Sequence, residues 1–230
     1  MIPGHFRYIF FDADDTLWRN EEFFREAERK FAHRLSQFAD EEYVVEVVTR
    51  KQEENIPVFG YGSKTFMLSM LDAAAEICGD RFDAGLYLDT KQIVTGLAYH
   101  EFELVDGVEE VLAALSDRYV LAVATKGDLV EQLAKFRESG LDRYFHHIEV
   151  MPTKSEKDYL MMARKLDILP EEILMVGNAV KSDIAPVVAV GGTAVHIPYK
   201  VTWHHEMMEM PASDRVYEIK NIKNLPELLL

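Results

Sequence analysis

The stretch Tyr8-Ile9-Phe10-Phe11-Asp12-Ala13-Asp14-Asp15-Thr16-Leu17 joins an apolar run to three carboxylates and a hydroxyl. The apolar run predicts a short buried strand from Arg7 to Phe11. Because residues two apart in an extended chain point the same way, Asp12 and Asp14 should face one crevice. Two carboxylates this close stay ionised only where a cation or a strong donor shares the site. The stretch therefore indicates Mg²⁺-assisted chemistry on an anion, the alternative being an acidic turn that caps the next helix.

Length and charge bound the possible functions. The chain has 230 residues, of which 48% are hydrophobic, enough for one large domain or for a core with a smaller insert. The chain has 25 Lys and Arg residues and 40 Asp and Glu residues, which gives a net charge of −15. So acidic a surface is poorly suited to nucleic acid or to an anionic membrane, and we expect neither as a partner. An anionic substrate would need a local positive site.

Cysteine usage and hydropathy indicate a compartment. Cys78 is the single cysteine, so an intramolecular disulfide is impossible and a reducing environment is expected. The acidic residues after Phe11 interrupt any apolar core of a signal peptide. No stretch approaches the ~20 apolar residues of a membrane helix. We therefore expect a cytoplasmic protein.

After the first strand, the pattern becomes helical for roughly eighty residues. Apolar side chains recur at three- and four-residue spacings from Phe23 to Phe38, and they are expected to form a core. Further helices are predicted over residues 40–56, 64–78 and 84–100, with Pro57 ending the first of these. The block contains no strand signal, so we interpret residues 18–102 as an inserted helical cap domain.

The second half of the chain alternates helices with short apolar strands. Strands are predicted over residues 119–124, 147–150, 173–176, 193–197 and 216–219. Helices are predicted over residues 108–116, 155–166 and 183–190, and another reaches Ser139. Alternation of this kind is typical of a parallel sheet with right-handed crossovers. We therefore predict an α/β fold, a Rossmann-like core of residues 1–17 and 103–230.

Polar residues follow several of the predicted strands. They are Asp12 and Asp14, Thr125, Asn178 with Asp183, and Lys154, which opens a helix. In open parallel sheets, ligands bind beyond the carboxyl ends of the strands, so these residues should meet at one edge. Carboxylate and amide oxygens suit a hard cation such as Mg²⁺. A hydroxyl, a lysine and free helix N–H groups suit the oxygens of a phosphoryl group.

These residues, in this order, resemble the four motifs of the haloacid dehalogenase (HAD) superfamily. Asp12-Ala13-Asp14-Asp15-Thr16 is similar to the first motif, Thr125 to the second, Lys154 to the third, and Gly177-Asn178 through Asp183 to the fourth. The helical insert lies where that superfamily usually carries a helical cap. The stretch from Val176 to Asp183 also resembles a bacterial branch of the superfamily.

The resemblance implies a Mg²⁺-dependent phosphatase acting on a small phosphorylated metabolite. Asp12 would attack phosphorus and form an aspartyl-phosphate, while Asp14 would protonate the leaving oxygen and later activate water. Thr125 and Lys154 would hold the phosphoryl oxygens. The implied metal ligands are Asp12, the backbone carbonyl of Asp14, Asn178 and Asp183, the last either as a ligand or through the metal's waters.

Asn178 departs from the family pattern, which usually has aspartate there. An amide oxygen carries no charge, so Mg²⁺ should bind less tightly unless Asp183 compensates. We expect an active enzyme with a raised Mg²⁺ requirement. The alternatives are a catalytically impaired regulator that binds metal or phosphate, and a phosphomutase with the same chemistry. A dehalogenase would share the Asp12 nucleophile but has no need of Asp14.

Further residues are candidates for substrate binding, namely Thr16, Lys126, Gly127, Tyr61 and Lys64. Gly127 would let the backbone approach the phosphate, whereas an orientation of Lys126 away from it is the alternative. The glycine-rich stretch at Tyr61 would read the leaving group, or it is an ordinary turn between helices.

Three other features have simpler interpretations. Lys154 is preferred to Lys157 for the phosphate role because it follows the strand and loop directly. A zinc site at His196, His204, His205 and Glu206 is disfavoured, since adjacent histidines do not easily face one point and no cysteine is near. Glu206, Glu209 and Asp214 are expected to be solvated surface.

Overall fold

The computed structural model describes residue 2 and residues 6–98, 102–201 and 203–230. The chain divides into two compact units. The α/β unit contains Met1–Glu21 and Phe102–Leu230, and the helical unit contains Glu22–Glu101. The interpretation of the helical unit as a cap stays a prediction.

Long amphipathic helices build the helical unit: α1 (Glu21–Leu35), α2 (Glu41–Phe59), α3 (Ser63–Cys78) and α4 (Ala84–Thr95). Their shared core includes the fully buried side chains of Phe31, Leu35, Val48 and Met70, and Phe24 and Phe38 pack against it. Phe24, Phe31 and Phe38 therefore serve as core, as their spacing predicts. The predicted helix over 84–100 is shorter, since α4 ends at Thr95 and residues 99 and 100 lie outside the described ranges.

Pro57 does not end α2, contrary to the prediction from sequence. The helix continues to Phe59, and the N–H group of Gly60 donates to the carbonyl of Ile56. Proline lacks an N–H donor and crowds the carbonyl four residues earlier, so it disturbs the turn before it and leaves Val58 and Phe59 free to stay helical. The helix ends instead at Gly60, whose φ of 77° favours glycine.

The described part of the α/β unit contains a six-stranded parallel sheet, which confirms the predicted fold class. Its strands are β1 (Tyr8–Phe11), β2 (Val120–Lys126), β3 (His147–Met151), β4 (Ile173–Gly177), β5 (Thr193–His196) and β6 (Val216–Glu218). The order across the sheet is β3-β2-β1-β4-β5-β6. Phe11 pairs with Val123 of β2 and Val176 of β4. Chain order therefore reverses between β1 and β4, the position at which open α/β sheets bind ligands.

The helices of this unit are α5 (Val108–Ser116), α6 (Leu129–Glu138), α7 (Glu156–Leu166), α8 (Ala185–Ala189) and α9 (Leu225–Leu229). Fully buried residues of β1, β2 and β4, including Phe11, Val123 and Val176, pack with Leu112 and Leu115 of α5. This core holds the strand ends in place. None of the helices in the described ranges is both long and apolar enough to cross a membrane.

The predicted helix over 183–190 begins earlier and differently. A π-helical turn covers Val180–Ile184, and α8 follows it. Pro186 has no N–H group for the carbonyl of Ser182, and the Tyr159 hydroxyl donates to that carbonyl at 2.9 Å instead. Proline and a buried tyrosine together set the conformation of the loop that carries Asp183.

Candidate active site

The polar residues predicted at the strand ends meet at the carboxyl edge of the sheet. Asp12 follows β1, Thr125 lies near the end of β2, and Asn178 follows β4. Because β1 lies between β2 and β4, these three positions are neighbours. Lys154 comes from the loop between β3 and α7. Four separate stretches of chain thus contribute to one site.

A buried lysine joins two carboxylates at the centre of this site. Lys154 Nζ donates to Asp12 Oδ1 at 2.6 Å and to Asp183 Oδ1 at 2.5 Å. Lys154 and Asp183 are 1% and 0% exposed. Lys154 also has a φ of 58°, a left-handed conformation that is unfavourable for a residue with a side chain. Lys157 is exposed on α7, so the loop conformation is what brings Lys154 to the aspartates.

Burial dominates the electrostatics of Asp12. It raises the pKa of the Asp12 carboxyl to about 7, and the charge of Asp183 adds to this, while Lys154 opposes it. Burial alone would lower the pKa of Lys154, but the charges of Asp12 and Asp183 raise it above its usual value. Lys154 therefore stays an ammonium that favours the ionised form of Asp12.

Gly177 makes room for Asp183. A Cβ atom at position 177 would lie 2.3 Å from Asp183 Oδ2, which is far inside contact distance. The same Oδ2 accepts a hydrogen bond from the N–H group of Ala179 at 2.9 Å. Both oxygens of Asp183 thus have donors, one from Lys154 and one from the backbone.

Asp12 and Asn178 present oxygens to a shared hydroxyl. Thr16 Oγ1 lies 3.0 Å from Asp12 Oδ2 and 3.3 Å from Asn178 Oδ1. A hydroxyl has one hydrogen to donate, so it satisfies only one of these oxygens at a time. Two converging oxygens with one donor between them fit a hard cation. His196 Nε2 lies 3.1 Å from the backbone oxygen of Asn178 and fixes the loop from the other side.

Asp14 lies in different surroundings, among nitrogen donors. Trp18 Nε1 donates to its Oδ1 at 2.7 Å, and Lys135 Nζ donates to the same oxygen at 3.1 Å. Gln132 Nε2 donates to Oδ2 at 3.2 Å and to Thr125 Oγ1 at 2.7 Å. Gln132 and Lys135 were not identified from the sequence. Two polar side chains three residues apart, on the helix that directly follows Thr125, were the available signal.

The Lys126 side chain contacts a separate group of side chains. Its Nζ donates to Glu206 and, at 3.0 Å, to Ser182 Oγ, and it lies 5.6 Å from the ring centre of Trp203. Burial, and then the charge of Lys154, lower the pKa of Lys126 to about 7, and the charges of Asp183 and Asp12 oppose this. The prediction that Glu206 is solvated is wrong: its side chain is buried between Lys126 and Ser182. These partners replace the water that a surface glutamate would have.

Gly127, Tyr61 and Lys64 are the remaining candidates for substrate binding. Gly127 has a φ of 139°, and a Cβ there would lie 3.1 Å from Gln132 Cγ, so glycine serves the packing of Gln132. Asp128 caps α6 by accepting from the N–H group of Glu131. Tyr61 and Lys64 belong to the helical unit, and their role stays a prediction.

Comparisons with known proteins agree with this architecture. The family model of the haloacid dehalogenase-like hydrolases matches residues 6–191. A crystal structure of a haloacid dehalogenase-like hydrolase from Xanthomonas campestris has a TM-score of 0.88 and 31% identity, covering 98% of this chain and 91% of that one. A glyceraldehyde 3-phosphate phosphatase from Pyrococcus furiosus is 25% identical over 97% of this chain and 91% of its own.

A magnesium-bound structure shares the fold. It is a putative HAD-hydrolase from Bacillus subtilis, with a TM-score of 0.65 and 18% identity over 98% of this chain and 99% of that one. The family match spans most of the chain, including the stretches that hold Asp12, Thr125, Lys154 and Asn178. The chain therefore belongs to the haloacid dehalogenase-like hydrolase family.

Proposed function

We propose that this hydrolase is a phosphatase that cleaves a small phosphate monoester through an aspartyl-phosphate on Asp12. The observation that carries the proposal is the ion pair between Asp12 and the buried Lys154. Asp12 follows the strand next to the one that carries Thr125, and Asp14 comes two residues after it. The site combines a carboxylate nucleophile with cationic and hydroxyl groups for phosphoryl oxygens. The similarity to a phosphatase of a three-carbon sugar phosphate supports the substrate class.

In the first step, an oxygen of Asp12 attacks phosphorus and forms an O–P bond. The bond from phosphorus to the leaving group breaks, and its electron pair goes to the leaving oxygen, which takes a proton from Asp14. Lys154 and the Thr125 hydroxyl bind the phosphoryl oxygens and offset the charge that develops during transfer. Lys154 suits this role because its raised pKa keeps it charged.

In the second step, water attacks phosphorus and gives a proton to Asp14. The bond between phosphorus and Asp12 breaks, and its electron pair returns to the Asp12 carboxylate. The site is then ready for another substrate, and inorganic phosphate is the product. Asp14 thus acts as an acid and then as a base.

We propose Mg²⁺ as the cofactor. Asp12, the backbone carbonyl of Asp14 and the Asn178 amide oxygen would hold it, and it would supply positive charge that favours the ionised Asp12. Of the two roles expected for Asp183, we favour the indirect one, because both of its oxygens already accept hydrogen bonds. Asp183 would then act by holding Lys154.

The helical unit is inserted between β1 and β2 in the sequence. From that position alone we propose that it selects the leaving group, with Tyr61 and Lys64 as candidate contacts. Variation of these two residues would change the ranking of substrates rather than the reaction.

The test is phosphate release from a panel of esters with and without Mg²⁺. The panel contains glyceraldehyde 3-phosphate, phosphoglycolate, a hexose phosphate and a nucleoside monophosphate. We expect Mg²⁺-dependent release that disappears in Asp12→Asn and persists in Asp142→Asn, a matched change at an exposed aspartate. Release that persists in Asp12→Asn would contradict the proposed nucleophile. Halide release from a 2-haloacid, without phosphate release, would favour a dehalogenase.

A further inference from the structure

The Asp14 carboxylate accepts hydrogen bonds from side chains that have no role in the proposed mechanism. Lys135 and Gln132, both on α6, contact its two carboxylate oxygens, and Trp18 donates to one of them. The Lys135 side chain is 13% exposed and also donates to Asn20 Oδ1 at 2.8 Å. A charged side chain this deeply placed, with defined partners, fixes the geometry of what it contacts.

The position of α6 is tied to the end of β2. The helix begins at Leu129, immediately after Gly127 and its capping residue Asp128. Residues three apart on a helix lie on one face, so Gln132 and Lys135 point the same way. The absence of a side chain at Gly127 lets Gln132 pack against the turn. Because the start of α6 is fixed by the end of β2, the helix holds both residues next to Asp14.

The two oxygens of Asp14 are held unequally. Oδ1 accepts from Trp18 at 2.7 Å and from Lys135 at 3.1 Å. Oδ2 accepts from Gln132 at 3.2 Å, and Lys135 lies 3.4 Å away. The longer distances leave Oδ2 the more weakly bonded of the two oxygens.

Gln132 also links Oδ2 to the proposed phosphate ligand. The nitrogen that donates to Asp14 Oδ2 lies 2.7 Å from Thr125 Oγ1. Oδ2 is thus the oxygen of Asp14 on the Thr125 side, while Oδ1 is anchored to Trp18 and Lys135. Oδ1 is therefore the anchored oxygen of Asp14, and Oδ2 is the oxygen directed towards the proposed phosphate site.

We propose that Lys135 and Gln132 are positioning residues that hold Asp14 so that its Oδ2 exchanges the proton in both steps. The inference rests on the proposed phosphatase reaction and adds to it the residues that orient the acid and base. Removal of Lys135 leaves the contacts of Asp12, Lys154 and Thr125 in place and misdirects Asp14, whereas removal of Gln132 also takes a hydrogen bond from Thr125 Oγ1.

The leaving group provides a specific readout. p-Nitrophenolate departs without a proton, whereas the alkoxide of glycerol 3-phosphate needs one from Asp14. In Lys135→Met we expect turnover of the alkyl ester to fall about 100-fold, within the usual range for loss of general acid–base catalysis. Cleavage of p-nitrophenyl phosphate should show a burst of p-nitrophenol equal to the enzyme concentration, because attack by water on the intermediate also needs Asp14.

Controls separate positioning from folding. Lys135→Arg keeps a cationic donor and should restore part of the alkyl-ester activity. Gln132→Leu also loses the hydrogen bond to Thr125 Oγ1, so it should slow phosphoryl transfer from both esters, and from the alkyl ester more. Arg137→Met removes an exposed charge from the same helix and should change neither ester. Thermal unfolding of each variant identifies one that fails to fold.

The outcomes are distinguishable. An equal loss on both esters without a burst, or no loss, in a chain whose wild type is active would overturn the positioning role alone. If the wild type hydrolyses neither ester and forms no phosphoenzyme, the proposed function fails and the positioning role fails with it. A burst with p-nitrophenyl phosphate, together with a loss of turnover on the alkyl ester, would support both.

Discussion

Two carboxylate–lysine pairs lie at the same edge of the sheet, and they differ in burial. Lys154 is almost fully buried and contacts both Asp12 and Asp183, whereas the side chains of Lys135 and Asp14 are 13% and 26% exposed. Burial raises the pKa of Asp12 to about 7. In the Lys135 pair, burial lowers the pKa of the lysine, but Asp14 and Glu131 raise it above its usual value.

The difference shows how one type of ion pair serves two purposes. Removing one partner of a buried ion pair strongly destabilises the folded protein, because the other charge remains buried without water or a counter-charge. A pair that is only partly buried loses less stability when one partner is removed, because water reaches the charge that is left, and its main effect is on orientation. Lys154 thus supports both the fold and the proposed nucleophile, while Lys135 orients the proposed acid and base.

The largest effect is expected from Lys154→Met. It leaves Asp12 and Asp183 buried without a cation, so we expect no measurable turnover and a loss of about 3–5 kcal/mol in unfolding free energy. Without the ammonium, which opposes the effect of burial, the folded-state pKa of Asp12 rises further above its unfolded value. Stability gained from such a group is present at low pH and is lost as pH rises through the folded pKa. The variant should therefore be more destabilised at pH 8 than at pH 5.

Urea unfolding at both pH values measures this effect. Lys157→Met, at an exposed position on the same loop-to-helix segment, serves as the control and should unfold like the wild type. A destabilisation of Lys154→Met that is equal at the two pH values, or greater at pH 5, would contradict the assignment of uncompensated carboxylates.

Gly177→Ala should perturb the Lys154 pair with a smaller effect. The added methyl overlaps Asp183 Oδ2 and forces that carboxylate away from Lys154 and Ala179. We expect a loss of about 1–3 kcal/mol in unfolding free energy and reduced turnover of both alkyl and aryl esters. Gly96→Ala, where a Cβ meets nothing within 4 Å, is the matched control. A loss confined to alkyl esters would show that the Lys135 pair is disturbed instead.

Asn178→Asp should have the smallest effect on the protein and act on the metal. A second charged ligand would lower the Mg²⁺ concentration for half-maximal activity by about tenfold, with turnover at saturating Mg²⁺ little changed. Asn221→Asp adds the same charge at an exposed position and should leave the requirement unaltered. An unchanged or raised requirement in Asn178→Asp would argue against Asn178 as a ligand.

The alternation of strands and helices, together with polar residues at strand ends, was enough to predict the sheet and the edge at which these polar residues meet. Asp12, Thr125, Lys154 and Asn178 were identifiable because each follows or ends a strand in a parallel fold. That rule depends on chain order and on local hydrophobic pattern, which a sequence contains directly.

Contacts between distant side chains were decided by the tertiary structure. Glu206 resembles a surface glutamate in sequence, yet it is buried against Lys126, 80 residues away. Gln132 and Lys135 resemble ordinary helix residues until Asp14 is placed beside them. Local pattern determines which segments become strands and helices, but the burial and partner of a charged side chain depend on how those segments pack, which no single stretch of sequence encodes.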